Sequence, residues 1–228
     1  MDEGTATRLE EYLREAAVLH VRPLEGGGGH SDKAALILEG AVGVVAKRAD
    51  GEPMQVQARR EVAAWVLAVE LGMSHLVPAT VLRWVPVGDD IAGEQVEASV
   101  QVLWPRFSPA LVGSVQATDC DESISWSIAV FDLLIANTDR NGGNWGTIEG
   151  RPRAVFIDHG HAFAAADSNS PFVERHRNAD LPTALCDRVK RFHAAASTSR
   201  LKDFVDEPVC AGVQERAAKI ARGKLDIR

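Results

Sequence analysis

The chain has few cysteines, no long apolar run and no excess of positive charge, and each shortage excludes a class of protein. Cys120, Cys186 and Cys210 are widely spaced, so the sequence predicts neither a disulfide framework nor a zinc site. No apolar run approaches the roughly 20 residues that span a bilayer, and the acidic N-terminus lacks the features of a signal peptide. The formal net charge of −7 argues against general nucleic-acid binding. We therefore expect a soluble, cytoplasmic protein without stable membrane insertion.

Apolar periodicity indicates a strand-rich first half. Spacing over residues 5–19 predicts a first helix, and spacing over residues 57–71 predicts a longer one that ends at Gly72. Four short β-rich runs predict strands of an antiparallel sheet: residues 35–38, 42–46, 77–87 and 96–103.

The second half is predicted to be mainly helical. Residues 105–113 are interpreted as a linker or a lobe boundary, and an apolar face predicts a helix over residues 123–137. A short strand at 153–157 precedes three more predicted helices: residues 181–195, 201–204 and 213–222. The 228 residues, 46% of them hydrophobic, suffice for two small lobes with a shared cleft. We predict an α+β protein with a strand-rich N-lobe (1–104) and a helical C-lobe (105–228).

Residues 131–163 carry an ordered set of polar groups. Asp139 and Asn144 follow the predicted helix in a Gly- and Asn-rich segment, and Asp158 ends a short apolar strand two residues before a glycine. Kinase-type phosphoryl transfer needs one carboxylate to orient the attacking hydroxyl, and an amide and a second carboxylate to hold Mg²⁺. An Asx-turn cluster that caps the helix is the structural alternative. The ordered spacing favours Asp139 as a catalytic residue, with Asn144 and Asp158 as metal ligands.

A lysine and a glutamate upstream would complete the charged part of such a site. Lys47 ends an apolar strand, as the phosphate-binding lysine of protein kinases does. Glu61, early in the next predicted helix, is a better candidate partner than Glu70, which lies nearer the end of that helix. Taken alone, Lys47 would be a solvated strand-end charge, and Glu61 a first-turn acid favoured by the helix dipole. The downstream set favours the functional interpretation.

Two further segments could bind a nucleotide. A run of four glycines precedes the first predicted strand, and backbone N–H groups around Gly28 and Gly29 could approach phosphates, although a flexible linker fits equally well. An adenine-binding hinge would lie between the two predicted lobes, where an ordinary edge strand is the alternative. Its residues are Val102, Leu103 and Trp104.

The histidines near Asp158 do not indicate a zinc enzyme. His159 and His161 form an incomplete zinc set, so both are interpreted as loop histidines. The chain also lacks the G-x-S-x-G motif of serine hydrolases. Neither metal-assisted nor serine-dependent hydrolysis is predicted.

The same motifs resemble those of a known family. Asn137-Thr138-Asp139-Arg140 with Asn144-Trp145 is similar to the NTDR-x-x-x-NW loop of the phosphatidylinositol 3-/4-kinase family, in particular the bacterial relatives of the type II phosphatidylinositol 4-kinases. It is also similar to the N-x-DR-x-x-x-N loop of HipA-like serine/threonine kinases. Residues 157–163 resemble the family's IDNGLAF element, with His159 in place of Asn and His161 in place of Leu. Upstream matches at 60–65, 77–81 and 99–102 extend the resemblance to about two-thirds of the chain.

The resemblance implies a two-lobed kinase fold that binds ATP and Mg²⁺. It assigns Lys47 to the phosphates, Glu61 to Lys47, Asp139 to catalysis, and Asn144 and Asp158 to the metal. The chain lacks the palmitoylated Cys-rich loop and the membrane-engaging insert of the eukaryotic lipid kinases, which counts against a phosphoinositide acceptor. We expect transfer of the γ-phosphate to a hydroxyl of a protein, peptide or small molecule. The alternatives are a nucleotide-binding pseudokinase or scaffold, and a nucleotidyl (AMP) transferase on the same fold.

Overall fold

The computed structural model describes nine stretches of the chain: residues 2–24, 33–86, 91–110, 116, 119–149, 154–164, 168, 170–195 and 200–225. Gly28 and Gly29, expected to approach phosphates, lie outside the described residues.

A five-stranded antiparallel sheet forms most of the first half of the protein, in the order β1-β2-β3-β5-β4. Its strands are β1 (Val18–Pro23), β2 (Lys33–Leu38), β3 (Val42–Arg48), β4 (Thr80–Pro86) and β5 (Gln95–Val102). Alternate apolar side chains, among them Val44, Ala46 and Val100, are fully buried on one face. The register of β2 against β3 places Lys33 directly opposite Lys47.

Two helices accompany this sheet. Helix α1 (Glu3–Glu15) begins at Asp2, whose side chain accepts a hydrogen bond of 2.8 Å from the backbone N–H of Thr5. Helix α2 (Glu52–Glu70) has a proline in its first turn, where the missing N–H costs nothing, and it stops before Gly72, whose φ is +64°. Most of its second half is buried, because α2 contacts strands β3, β4 and β5.

Helices and a small sheet form the remainder. The helices are α3 (Glu122–Leu134), α4 (Pro171–Arg175), α5 (Thr183–Ala194) and α6 (Glu207–Ile220), with a 3-10 turn at Arg200–Asp203. The antiparallel sheet contains β6 (Phe107–Pro109), β7 (Trp145–Ile148) and β8 (Ala154–Phe156). One apolar core runs through both parts of the protein, from Ala6 in α1 to Leu225 after α6. In the part of the chain described, no helix is both long and apolar enough to cross a bilayer.

The α+β class predicted from the sequence is confirmed, but several predicted bounds are wrong. The first helix ends at Glu15 rather than residue 19, because the following residues, which include Val18 and Val21, pair with β2 as strand β1. Helix α2 begins five residues earlier than predicted, at Glu52. The predicted linker at 105–113 contains strand β6, which pairs with β7. The division of the chain at residue 104 stays a prediction.

Glu10 connects three elements that are distant in the sequence. Its side chain is 2% exposed and accepts hydrogen bonds from Trp65 Nε1 of α2 at 3.0 Å and from Arg200 Nη2 of the 3-10 turn at 2.8 Å. Arg14, one turn further along α1, contacts the same carboxylate at 3.1 Å. Burial alone would raise the pKa of Glu10, but the hydrogen bonds from Arg200 and Trp65 outweigh it, and the pKa is lowered. The ionised carboxylate therefore holds α1 and the 3-10 turn against α2.

We expect the substitution Glu10→Gln to lower the free energy of unfolding by about 1–2 kcal/mol at neutral pH, because hydrogen bonds to a charged group are lost. The lowered pKa means that folded Glu10 stays ionised at pH values where the unfolded chain takes up a proton. Its contribution is therefore complete above the ordinary Glu pKa and is lost as the pH falls through the lowered value. Urea unfolding at neutral and acidic pH should show the gap to wild type closing on acidification. The exposed neighbour substitution Glu11→Gln should show no such gap, and a gap independent of pH would contradict the account.

Gly146 allows β6 to approach β7. A Cβ at this position would collide with the carbonyl oxygen of Ser108 and lie 2.9 Å from Cα of Pro109. We expect Gly146→Ala to cost about 1–3 kcal/mol, because backbone atoms must separate. The matched control is Gly43→Ala, whose Cβ would lie at an ordinary 3.7 Å from Leu103 Cδ2. Thermal unfolding of both variants should show a marked loss only for Gly146→Ala, and equal melting temperatures would refute the packing argument.

Candidate active site

Three of the predicted site residues converge from three elements. Lys47 at the end of β3 forms an ion pair with Glu61 of α2, and its Nζ also donates to Asp158 Oδ1 at 2.9 Å. Glu61 is 1% exposed, whereas the carboxylate of Asp158 remains partly accessible. A buried acid holds the lysine from one side, and a more exposed acid contacts it from the other.

The charges of this cluster sustain one another. Burial alone would lower the pKa of Lys47, but the carboxylates of Glu61 and Asp158 outweigh it, and the pKa is raised. For Glu61, burial acts to raise the pKa and the charge of Lys47 acts to lower it, with a strongly lowered pKa as the result. Lys47 and Glu61 are therefore both ionised at neutral pH.

Lys33 is a further member of this cluster that the sequence analysis missed. Its Nζ lies 3.5 Å from Asp158 Oδ2, and the side chain is about one-third exposed. Its position follows from the strand register, which sets Lys33 opposite Lys47. The sequence shows a lysine ahead of an apolar run, but it does not show which residue of the next strand that lysine faces.

Asp139 is held by amide groups. Asn141 Nδ2 donates to Asp139 Oδ1 at 2.8 Å, and Asn144 Nδ2 donates to Asp139 Oδ2 at 3.0 Å. Asn144 Nδ2 also donates to the backbone oxygen of Asp139 at 2.7 Å. The amide nitrogen of Asn144 therefore points to Asp139. The Oδ1 atom of Asn144 is the one that could serve as a ligand atom.

A buried ion pair connects this loop to the strand that carries Asp158. Arg140 pairs with Asp132 of α3, and neither side chain is exposed. Its guanidinium donates to both carboxylate oxygens, to the carbonyl of Asn144 at 2.6 Å and to the carbonyl of Ile157 at 3.1 Å. Ile157 N–H in turn donates to the Asn144 carbonyl at 3.0 Å. Both predicted metal-ligand positions are therefore fixed by the same arginine.

Asp132 also had no predicted role. An aspartate within the apolar face of α3 is the signal that could have identified it, because a carboxylate is rarely buried without a partner. Asn137 Nδ2 gives the same carboxylate a further hydrogen bond of 3.0 Å, and Asn137 Oδ1 accepts from the N–H of Asp139 at 3.1 Å.

His159 lies outside the helices and strands, as expected of a loop histidine, but its ring is completely buried. It packs edge-on against Phe131, with 5.7 Å between ring centroids, and its Nδ1 lies 3.8 Å from Glu61 Oε2. Burial lowers the pKa of His159, which favours the neutral ring. His159 therefore lies beside Glu61, the residue that pairs with Lys47. His161, by contrast, is exposed.

The backbone at Asp158 is unusual, and Gly160 lies close to helix α2. Asp158 has a φ of +59°, in the left-handed region that few residues other than glycine, asparagine and aspartate adopt. A Cβ at Gly160 would lie 3.3 Å from the Gln57 side chain of α2. The segment therefore turns out of β8 and passes closely beneath the helix that carries Glu61.

The predicted hinge lies at the end of β5. The N–H of Val102 donates to the carbonyl of Ala79, and the N–H of Leu103 donates to the carbonyl of Gly43, both at 3.0 Å. These two N–H groups are thus used within the protein, and an adenine role for Val102, Leu103 and Trp104 stays a prediction.

The predicted metal-ligand positions carry oxygen donors of the kind that a hard divalent cation prefers. The candidate donors are the Asn144 and Asp158 side chains, with Asp139 bonded to Asn144. Across the described stretches, no three His, Cys, Asp or Glu side chains are grouped to hold a metal ion. Mg²⁺ is typically bound by one or two carboxylates, with waters and substrate phosphates completing its shell. The donor set therefore fits a cation that is shared with nucleotide phosphates.

Three solved structures have a similar fold. The Golgi casein kinase matches with a TM-score of 0.64 and 17% identity over 99% of this chain and 75% of that chain. The Golgi casein kinase with Mn/ADP bound gives 0.62 and 15%, over 99% and 76% of the two chains. The hydra Fam20 with sugar gives 0.66 and 16%, over 97% and 88%. No protein-family model matches the chain, and no curated protein is significantly similar in sequence.

The protein therefore has an atypical kinase-like fold, with an antiparallel, sheet-rich N-terminal region followed by helices. The predicted fold class is confirmed. The branch suggested by the motif resemblance, phosphatidylinositol 3-/4-kinase-like or HipA-like, is not confirmed, because the similar structures are Fam20 and the Golgi casein kinase.

We expect Asp132→Asn to cost about 3–5 kcal/mol, because it leaves the buried Arg140 guanidinium without a counter-charge. Urea unfolding would measure the loss. The matched control is Asp187→Asn in α5, whose pair with Lys190 is exposed and should contribute less than about 1 kcal/mol. Similar losses for the two variants would contradict a central role for the buried pair.

Proposed function

We propose that the protein is an ATP-dependent phosphotransferase that moves the γ-phosphate of ATP to a hydroxyl group. The convergence of Lys47 and Glu61 with Asp158 carries this proposal. Asp139 is connected to this cluster through Asn144. The Asn144 amide donates to Asp139, and the Asn144 carbonyl accepts from the N–H of Ile157, the residue before Asp158. The order of these groups along the chain is also the order that kinase chemistry needs.

Each side chain has a role that its contacts permit. Lys47, ionised and held by Glu61, would bind the α- and β-phosphates. Asp139, oriented by Asn141 and Asn144, would align the acceptor hydroxyl and accept its proton as the new P–O bond forms and ADP leaves.

Asn144 and Asp158 would hold the divalent cation. When bound, that cation neutralises charge on the phosphates. Mg²⁺ is the proposed metal. The Mn/ADP-bound Golgi casein kinase among the similar structures supports a nucleotide and a divalent cation, and makes Mn²⁺ the second ion to test.

The acceptor is proposed to be a protein, peptide or small molecule. The fold of a casein kinase supports casein as the first acceptor to try. The motif resemblance to phosphatidylinositol 3-/4-kinases makes a phosphoinositide the comparison acceptor. A cytoplasmic location also stays a prediction, supported by the three cysteines, all of which are free thiols.

The decisive test incubates the protein with Mg²⁺ or Mn²⁺ and ATP labelled at either the α- or the γ-phosphate. We expect label on casein or on the protein itself only from γ-labelled ATP. Asp139→Asn should reduce it by about 10²–10⁴-fold, because the hydroxyl loses its proton acceptor. Asp158→Ala and Lys47→Met should also abolish it, whereas the exposed Asp187→Asn should retain wild-type transfer.

The other outcomes identify the alternatives. Label transferred from α-labelled ATP would indicate an AMP transferase. A rise in melting temperature with ADP and metal, without any transfer, would indicate a pseudokinase or scaffold. Equal transfer by wild type and Asp139→Asn would refute the proposed mechanism.

A further inference from the structure

Both carboxylate oxygens of Asp158 are contacted by ammonium groups. Lys47 Nζ lies 2.9 Å from Oδ1, and Lys33 Nζ lies 3.5 Å from Oδ2. These are also the oxygens that a divalent cation would use. A cation that binds Asp158 must therefore compete with two positive charges that are already in contact with it.

The two lysines face one another across neighbouring strands. Lys33 and Lys47 are directly paired in the antiparallel register of β2 and β3, so their side chains leave the same face of the sheet. Like charges at such positions repel. The arrangement thus depends on a shared anion, and in this structure that anion is the Asp158 carboxylate.

The four charges of the cluster sum to zero. Lys33 and Lys47 carry two positive charges, and Glu61 and Asp158 carry two negative charges. Adding a divalent cation alone would leave the cluster with excess positive charge. Without Lys33 the same four positions would carry a net negative charge, which attracts a divalent cation. Nucleotide phosphates would instead bring negative charge that both lysines can use.

We propose that Lys33 is a positioning residue that keeps Asp158 from binding a divalent cation until nucleotide phosphates arrive. This rests on the proposed nucleotide site at Lys47. The phosphates compete for the two ammonium groups and free the Asp158 oxygens for the metal. Metal and nucleotide then bind together, and a metal ion alone binds poorly.

The first test measures Mn²⁺ binding without nucleotide, from the electron paramagnetic resonance signal of free Mn²⁺. Lys33→Met should bind Mn²⁺ about three- to tenfold more tightly than wild type, because one repelling charge is removed. Lys33→Arg keeps the charge and should behave as wild type. The control Lys190→Met removes a charge from the exposed pair with Asp187 and should leave Mn²⁺ affinity unchanged.

The second test measures ADP binding by calorimetry in the presence of EDTA. Lys33→Met should bind ADP several-fold more weakly, because one cation that attracts the phosphates is gone. Opposite shifts, tighter Mn²⁺ and weaker ADP, distinguish this role from a structural one, since loss of folding would weaken both. Melting curves of every variant verify folding.

Equal or weaker Mn²⁺ affinity of Lys33→Met relative to wild type, including no binding by either, would overturn the inference. An unchanged ADP affinity would equally contradict the exchange of partners. Neither measurement uses phosphate transfer. Opposite shifts in a protein that transfers no label would therefore leave this inference standing while the proposed transferase activity fails.

Discussion

The buried guanidinium of Arg140 is the contact on which the geometry of the candidate site depends. It neutralises Asp132 inside α3 and donates to the carbonyls of Asn144 and Ile157. A helix, a loop and a strand end are thus joined by one planar group whose donors are fixed in direction. With the arginine in place, Asn144 and the segment leading to Asp158 cannot move independently. The polar loop is thus anchored by a side chain that is buried in the core.

The charged groups in front of that anchor are arranged by depth. Glu61 is buried and paired with Lys47, so it serves as a counter-charge. Asp158 is more exposed, and its two oxygens are shared by Lys47 and Lys33. A buried pair is costly to break and an exposed contact is not. The contacts of Asp158 can therefore be exchanged at lower cost than the pair between Lys47 and Glu61.

Helix α2 connects this charged cluster to α1. It carries Glu61 near its middle, and further along it Trp65 donates to Glu10 of α1. Glu10 is also bonded to Arg200, which lies 190 residues later. The helix that carries Glu61 is therefore held by Glu10 of α1, which is itself held by Arg200. For the proposed function this support matters, because the position of Lys47 depends on that of Glu61.

The polar groups of the candidate site and the α+β class could be predicted from the amino-acid sequence alone. Local patterns show the spacing of Asp139, Asn144 and Asp158 and the lysine at the end of β3. These patterns do not depend on how distant segments pack. The sequence did not show that Lys33 faces Lys47, that Asp132 neutralises Arg140, or that His159 is buried beside Glu61. Strands β1, β6 and β7 were missed for the same reason, since each depends on pairing with another strand. Register, burial and long-range ion pairs depend on which segments meet, and hydrophobic periodicity along one segment does not contain that information.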